Sequence, residues 1–262
     1  MNILQVINVR WLNAEAAYAY SLARGLIKKG HTVIIAGLPD SPVIQKAVAD
    51  GIPVYQTTTL NTYNPLSILA GIGRLKSLID NEKIEVINCH RSEGYPIVAF
   101  ACRASKKRPG IVRTRGDVRP VRGVFLNKSL YATFTDGVIA SGEVVKKGLV
   151  VRLGLDEKKI DVVYAAVDTE RFRPLDKFND IRKEFGVPSN SPLIAVLGRI
   201  DEVKGHKYFI EAASLILKEQ PLARFLIMAK EMDEGAERLR KQVQNAGLEG
   251  RVLFTGFRED IA

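Results

Sequence analysis

The chain has 262 residues, 46% hydrophobic and 26% charged, with a mean hydropathy near zero, which excludes a disordered chain and allows one large or two smaller globular domains. No apolar run approaches the roughly 18 residues of a membrane-crossing helix, and Met1-Asn2-Ile3-Leu4 enters a strand pattern at once, so neither a span nor a signal peptide is expected. Lys and Arg outnumber Asp and Glu by 39 to 29, for a formal net charge of +10, most of it carried before Glu170.

Short apolar runs alternate with helical periodicity, the pattern of βα units on a parallel sheet. Strands are expected at 2–8, 32–37, 53–57, 85–90, 110–114, 137–141 and 160–164. Between the first two, Asn13 can cap a helix with Ala16, Ala19, Leu22, Ala23, Leu26 and Ile27 on one face, closed by Lys28-Lys29-Gly30. Glu15 falls in its first turn, where the helix dipole favours a carboxylate. Further helical patterns cover 65–79, 93–103 and 142–153, while 120–134 is irregular or briefly helical. Periodicity stops after Val167-Asp168. A second series follows: an amphipathic pattern at 178–185, strands at 193–197, 224–228 and 251–255, and helices at 208–218 and 235–245. The organisation expected is a first domain at 1–168, a linker at 169–176 and a second domain at 177–262, whose three strands make it incomplete. His31 and His206 read as solvent-facing turn residues. Cys89 and Cys102 match no metal-ligand spacing and read as reduced, packed thiols of a cytosolic protein.

Chemistry concentrates in two stretches. Arg103, Lys106, Lys107, Arg108, Arg113, Arg115, Arg119, Arg122 and Lys128 face only Asp117 as a counter-charge, which suits an anionic neighbour: membrane headgroups, a phosphorylated acceptor or nucleic acid. In the second half, Leu-Ile-Ala-Val-Leu-Gly-Arg-Ile-Asp-Glu-Val-Lys-Gly (193–205) is a strand running into a loop ahead of a helix. Gly198 removes a side chain where a ligand would approach, Arg199 offers a planar fork and Lys204 a mobile charge, so the three together suit a diphosphate. A solvated turn would also account for this block alone.

The block resembles the Gly-Arg…Lys-Gly signature of glycosyltransferase family 4. Three further segments resemble that family in the same order: Ser21-Leu22-Ala23-Arg24-Gly25-Leu26 with Gly30-His31-Thr32-Val33, Lys159-Ile160-Asp161-Val162-Val163-Tyr164 with Val167-Asp168 and Phe172-Arg173-Pro174, and Val252-Leu253-Phe254-Thr255-Gly256. The resemblance implies an α/β, GT-B-like architecture: two Rossmann-like βαβ domains with parallel sheets, the second incomplete. It implies a retaining transfer, in the cleft between the domains, from a nucleotide-diphosphate sugar to a saccharide or lipid-linked acceptor. Cell-surface polysaccharide or lipopolysaccharide synthesis at the cytoplasmic membrane face is the setting it suggests, with an anionic membrane surface as a further partner. Gly198, Arg199 and Lys204 would hold the donor diphosphate. His90 is carried over as a catalytic candidate; at Thr114-Arg115-Gly116-Asp117 a second family histidine is missing, and there Asp117 is read as a further catalytic candidate of the cleft and Arg115, with Asn13 and Ala14, as an acceptor or anion contact. No cofactor and no metal is expected, because charge on the leaving diphosphate would be stabilised by the two cations.

Departures from the family pattern are specific. Asn13-Ala14 stand where two glycines are frequent, Ala165-Ala166 where Asn-Gly is frequent, and Ala229-Lys230-Glu231 where a Gly-rich turn is frequent. The family's paired glutamates would lie beyond Ala262, so weak or no turnover is expected of this chain alone. Two other classes fit parts of the sequence. One is a nicotinamide-dependent oxidoreductase, whose fingerprint is matched only weakly by Gly71-Ile72-Gly73 inside a helical pattern. The other is a non-enzymatic basic module binding anions or nucleic acid, and only there is nucleic acid a partner.

Overall fold

The computed structural model describes residues 1–62, 64–119, 121–174, 181–229, 234–258 and 260–261. The chain forms two compact units, Met1–Ala166 and Val167–Ala262. In the first, β1 (Asn2–Ile7), α1 (Ala14–Lys28), β2 (Thr32–Gly37), α2 (Pro42–Ala49), β3 (Val54–Gln56), α3 (Pro65–Asn81) and β4 (Val86–Cys89) come first. They are followed by α4 (Tyr95–Ala104), β5 (Gly110–Arg115), α5 (Phe125–Thr133), β6 (Gly137–Ala140), α6 (Glu143–Leu153) and β7 (Ile160–Val162).

These seven strands make one sheet in the order β3-β2-β1-β4-β5-β6-β7, parallel throughout. Both faces are covered, which is why its strands are apolar almost without interruption. Alternation along β1 divides them: Ile3 and Ile7 pack with Ala16, Ala19 and Ala23 of α1, while Leu4 and Val6 pack with Leu75, Ile79 and Val98 on the opposite face. Gln5 therefore points to the α1 face, as a polar residue inside an apolar strand. The strand order reverses direction between β1 and β4, and in open α/β sheets ligands bind in the crevice at such a switch point, outside the carboxyl ends of the strands.

In the second unit, α7 (Ile181–Glu184), β8 (Leu193–Leu197), α8 (His206–Glu219), β9 (Arg224–Met228), α9 (Glu234–Asn245) and β10 (Val252–Phe254) follow in chain order. The three strands pair in parallel as β10-β9-β8. Phe225 and Ile227 of β9, Ile210 and Ala213 of α8, and Val243 of α9 form its core. Arg258 bridges Glu184 with both terminal nitrogens, at 2.5 and 2.9 Å, tying α7 to the segment after β10.

Several expectations need correction. The helix α2 was absent from the periodicity reading because it is short and opens with Pro42 after Ser41, a pair that reads as a turn. The 120–134 stretch, read as irregular or briefly helical, does hold a short helix, α5, with residue 120 outside the described residues. Of the 178–185 pattern, 178–180 lie outside the described residues, as do 230–231 of the Ala229 departure and 175–176 of the linker. Gly71 is a packing glycine: a side chain there would meet Thr59 at 2.9 Å.

The cationic run does not form one face. Arg113 is 1% exposed. Arg103 and Lys106 to Arg108 precede the amino end of β5, whereas Arg115 is its last residue and Arg119 follows it, about 16 Å away along the strand. No helix among the described residues is long and apolar enough to cross a membrane.

Candidate active site

The crevice above β1, β4, β5 and β6 holds a cavity of about 240 Å³ lined by Ala14, Glu15, Tyr18, His90, Thr114, Gly116, Ser141 and Ala165. Asn13 fixes its rim, because its Oδ1 accepts a 2.9 Å hydrogen bond from the Ala16 amide and so starts α1 where Ala14 and Glu15 reach the cavity. His90 lies just past β4, 2% exposed. Its Nε2 is 2.7 Å from Gln5 Oε1, and Tyr18 meets its ring edge-on with centroids 6.0 Å apart.

Burial, with the nearby Arg113 charge adding to it, depresses the His90 pKa to about 3, so the imidazole is neutral at physiological pH. With Oε1 of Gln5 as acceptor, the ring proton sits on Nε2, and buried Nδ1 is left as an acceptor with no protein partner. Such a ring suits receiving a hydrogen bond from a ligand hydroxyl. It does not suit carrying charge.

Arg115 ends β5, and Asp117 stands on the loop that follows. Arg119 donates to both carboxylate oxygens of Asp117, from its amide at 2.8 Å and from Nε at 2.7 Å. Burial alone would raise the Asp117 pKa, but these bonds outweigh it and hold the carboxyl below its ordinary value. Arg115 donates to the Arg119 carbonyl at 2.7 Å. The sequence reading missed Gln5, Tyr18 and the ion pair between Arg91 and Glu15, 2.5 Å long, which gives Glu15 a partner besides the helix dipole. Gln5 left a signal, a polar residue within an apolar central strand. The Arg91–Glu15 pair left none, since its members are far apart in sequence.

In the second unit, β8 ends at Leu197 and the chain turns through Gly198, whose φ of +148° favours glycine. The Lys204 stem runs beside it, with Cγ, Cδ and Cε 3.4 to 3.5 Å from where a Gly198 Cβ would lie. Asp201 organises the loop: Oδ1 accepts from the Lys204 amide at 3.0 Å, and Oδ2 holds Arg199 Nη2 at 2.9 Å. Gly205, at φ +70°, then starts α8. Gly198, Arg199 and Lys204 thus share one loop at a strand's carboxyl end. The Arg199 side chain is 84% exposed, so its pair with Asp201 is worth at most about 1 kcal/mol and does not compete with a charge-assisted grip on a diphosphate.

A separate groove of about 560 Å³ lies between the first turns of α8 and α9, bordered by Asp201, His206, Arg238 and Gln242 and not by Arg199 or Lys204. His206 is 2% exposed, not the solvent-facing residue expected, because the first turn of α8 folds inward; burial lowers its pKa.

An open parallel α/β unit with a polar crevice at its switch point, followed by a smaller parallel unit with a Gly-Arg…Lys-Gly loop, defines a two-unit open α/β architecture. The family model Glycosyltransferase Family 4 matches residues 16–171, more than half of the chain, and Glycosyl transferases group 1 matches residues 177–262. The chain belongs to glycosyltransferase family 4. Similar curated proteins include a putative glycosyltransferase, EpsD, of Bacillus subtilis, 27% identical over 74% of this chain and 53% of its own length. Another is the D-inositol 3-phosphate glycosyltransferase of Segniliparus rotundus, 27% identical over 54% of this chain and 31% of its own. The chain therefore spans about half or less of these relatives. Among solved structures, a glycosyltransferase from Rickettsia africae superposes with a TM-score of 0.85 at 22% identity, covering 99% of this chain and 69% of that one. Anabaena HepE in complex with UDP gives 0.83 at 19%, covering 100% and 70%. The fold is GT-B-like, with parallel sheets in both units, the second small.

Proposed function

We propose that the protein to which this chain belongs transfers a sugar from a nucleotide-diphosphate donor to a saccharide or lipid-linked acceptor in the synthesis of a cell-surface polysaccharide or lipopolysaccharide. The observation that carries this reading is the 198–205 loop at the end of β8, in which the Lys204 stem runs beside a positive-φ glycine and Asp201 bonds both the exposed Arg199 guanidinium and the Lys204 amide. As the glycosidic bond breaks, negative charge builds on the leaving diphosphate. Arg199 and Lys204 would stabilise it by fixed electrostatics, without a metal ion or other cofactor. In the first unit, neutral His90 would receive a hydrogen bond from a sugar hydroxyl through Nδ1, a positioning role. Asn13 and Ala14 would shape the rim, and Arg115 and Asp117 would make the polar contacts beyond it.

Relatives support both partners. HepE has been crystallised with UDP and with UDP-glucose, and a galactosyltransferase of Escherichia coli named for a diphosphoundecaprenol acceptor is 25% identical over 71% of this chain and 51% of its own length. Family membership leaves no support for a nicotinamide-dependent oxidoreductase. A peripheral position on a cytoplasmic anionic membrane face completes the reading, supported by the cations and exposed apolar residues around α5.

Thermal denaturation with UDP, GDP and ADP in turn tests the donor assignment. A nucleotide present at 100 times its Kd stabilises the chain by about 2.7 kcal/mol, a rise of a few degrees in Tm for at least one of the three. No rise with any of them, together with a rise on adding NAD, would overturn the reading.

A further inference from the structure

We infer that a second pocket in the first unit, formed by Arg91, Arg113, Arg115 and Arg119 at the carboxyl ends of β4 and β5, binds a phosphoryl group carried by the acceptor. That the ligand is an acceptor rests on the function proposed above; that it is an anion rests on the pocket alone.

The pocket has a volume of about 240 Å³, roughly eight times the space of one water in the liquid, so a phosphoryl group fits with part of the molecule that bears it. It shares Glu15 with the His90 cavity, which sets the two side by side. Its unusual member is Arg113. A guanidinium is always charged, and at 1% exposure this one is cut off from water. Its partners are all neutral: Nη1 donates to the Cys89 and Thr114 carbonyls at 2.6 Å each, Nη2 donates to Ser92 Oγ at 3.3 Å, and the Tyr95 ring centroid lies 5.6 Å from the guanidinium carbon. Its Nε is buried without a partner among the described residues. No carboxylate pairs with it among the described residues. A buried charge left in this state is costly unless something of opposite sign answers it.

No carboxylate of the pocket bonds to Arg113, although its charge helps to lower the pKa of Glu93. Glu15 and Glu93 are held by Arg91 at 2.5 and 2.9 Å, and Asp117 is held by Arg119 at 2.7 Å. Arg115 donates to the Arg119 carbonyl and makes no salt bridge among the described residues, although its charge helps to lower the pKa of Asp117. Four guanidiniums thus stand against three carboxylates, and the surplus lies where Arg115 and Arg119 still have N–H groups to donate. Guanidinium forks match the spacing of phosphoryl oxygens, and a dianion supplies the missing counter-charge.

The test is a titration of inorganic phosphate into the 15N-labelled chain, followed by amide chemical shifts. Amides of 91–93 and 115–119 should move saturably. In the Arg115→Gln/Arg119→Gln variant they should need at least about tenfold more phosphate, while amides of 198–205 respond as in the wild type and those of β1 and β2 keep their wild-type shifts, which shows that the first unit is folded. If phosphate moves only amides of 198–205, this inference is overturned and the donor loop stands. If it moves only those of 91–93 and 115–119, the donor assignment fails and the inference holds; movement of neither overturns both. Competition by glucose 6-phosphate would identify a soluble sugar phosphate as the source of the group. Competition only by phosphatidylcholine vesicles containing phosphatidic acid would identify a lipid-borne phosphate, and competition by neither would overturn the acceptor assignment.

Discussion

The loop that carries Gly198, Arg199 and Lys204 was legible as a loop because it is local: eight consecutive residues from Leu197 carry the strand end, the positive-φ turn and both cations. His90 was legible only as a strand-end residue. Its partner Gln5 lies 85 positions earlier, and no local pattern announces that β1 and β4 are neighbours. Arg113 was misread for a related reason, since a basic residue within a basic run reads as surface until the strand's inward face is known. His90 carries a prediction. Its folded pKa, about 3, lies below the ordinary 6.5, so between these values the unfolded chain binds more protons than the folded one. The stability linked to a neutral His90 is thus complete above pH 6.5 and declines as pH falls toward 3. Urea midpoints of the wild type should drop between pH 7 and pH 5, and His90→Gln should drop less, with buried His206 supplying part of the remainder because its pKa is also lowered. An equal slope in both proteins would show that His90 is not the depressed group.

At the scale of elements, every strand was legible, because buried parallel strands leave apolar runs that periodicity and flanking turns bound well. The helices α2 and α5 were less so: one is masked by a Ser-Pro turn signal, the other by glycine and basic residues at its start. That start has its own consequence. Val124, Phe125 and Leu126 are 52, 86 and 60% exposed, and the Gly123 turn packs against the Arg152 carbonyl at the end of α6, where Val151 is 80% exposed. Arg122, Lys128 and Arg152 surround them. Exposed apolar side chains ringed by cations are what an interfacial membrane contact requires. The wild type should sediment with vesicles containing anionic lipid and not with neutral ones, and Phe125→Ser/Leu126→Ser should sediment less. Equal sedimentation with both lipids, unaffected by the substitutions, would remove the membrane from the account.

At the scale of the molecule, the division into two βα series was legible where periodicity stops after Val167-Asp168, but composition misled about charge. The basic run from Arg103 to Lys128 suggested an anionic neighbour, whereas its cations divide between the two ends of β5 and one of them is buried. What the whole account rests on is the grip of the second unit on a diphosphate, which calorimetry can measure directly. The nucleoside diphosphate that gives the largest thermal stabilisation should bind the Arg199→Ala/Lys204→Ala variant at least about 1.5–3 kcal/mol more weakly than the wild type, the worth of one charged hydrogen bond. Equal affinity in the two proteins would contradict it.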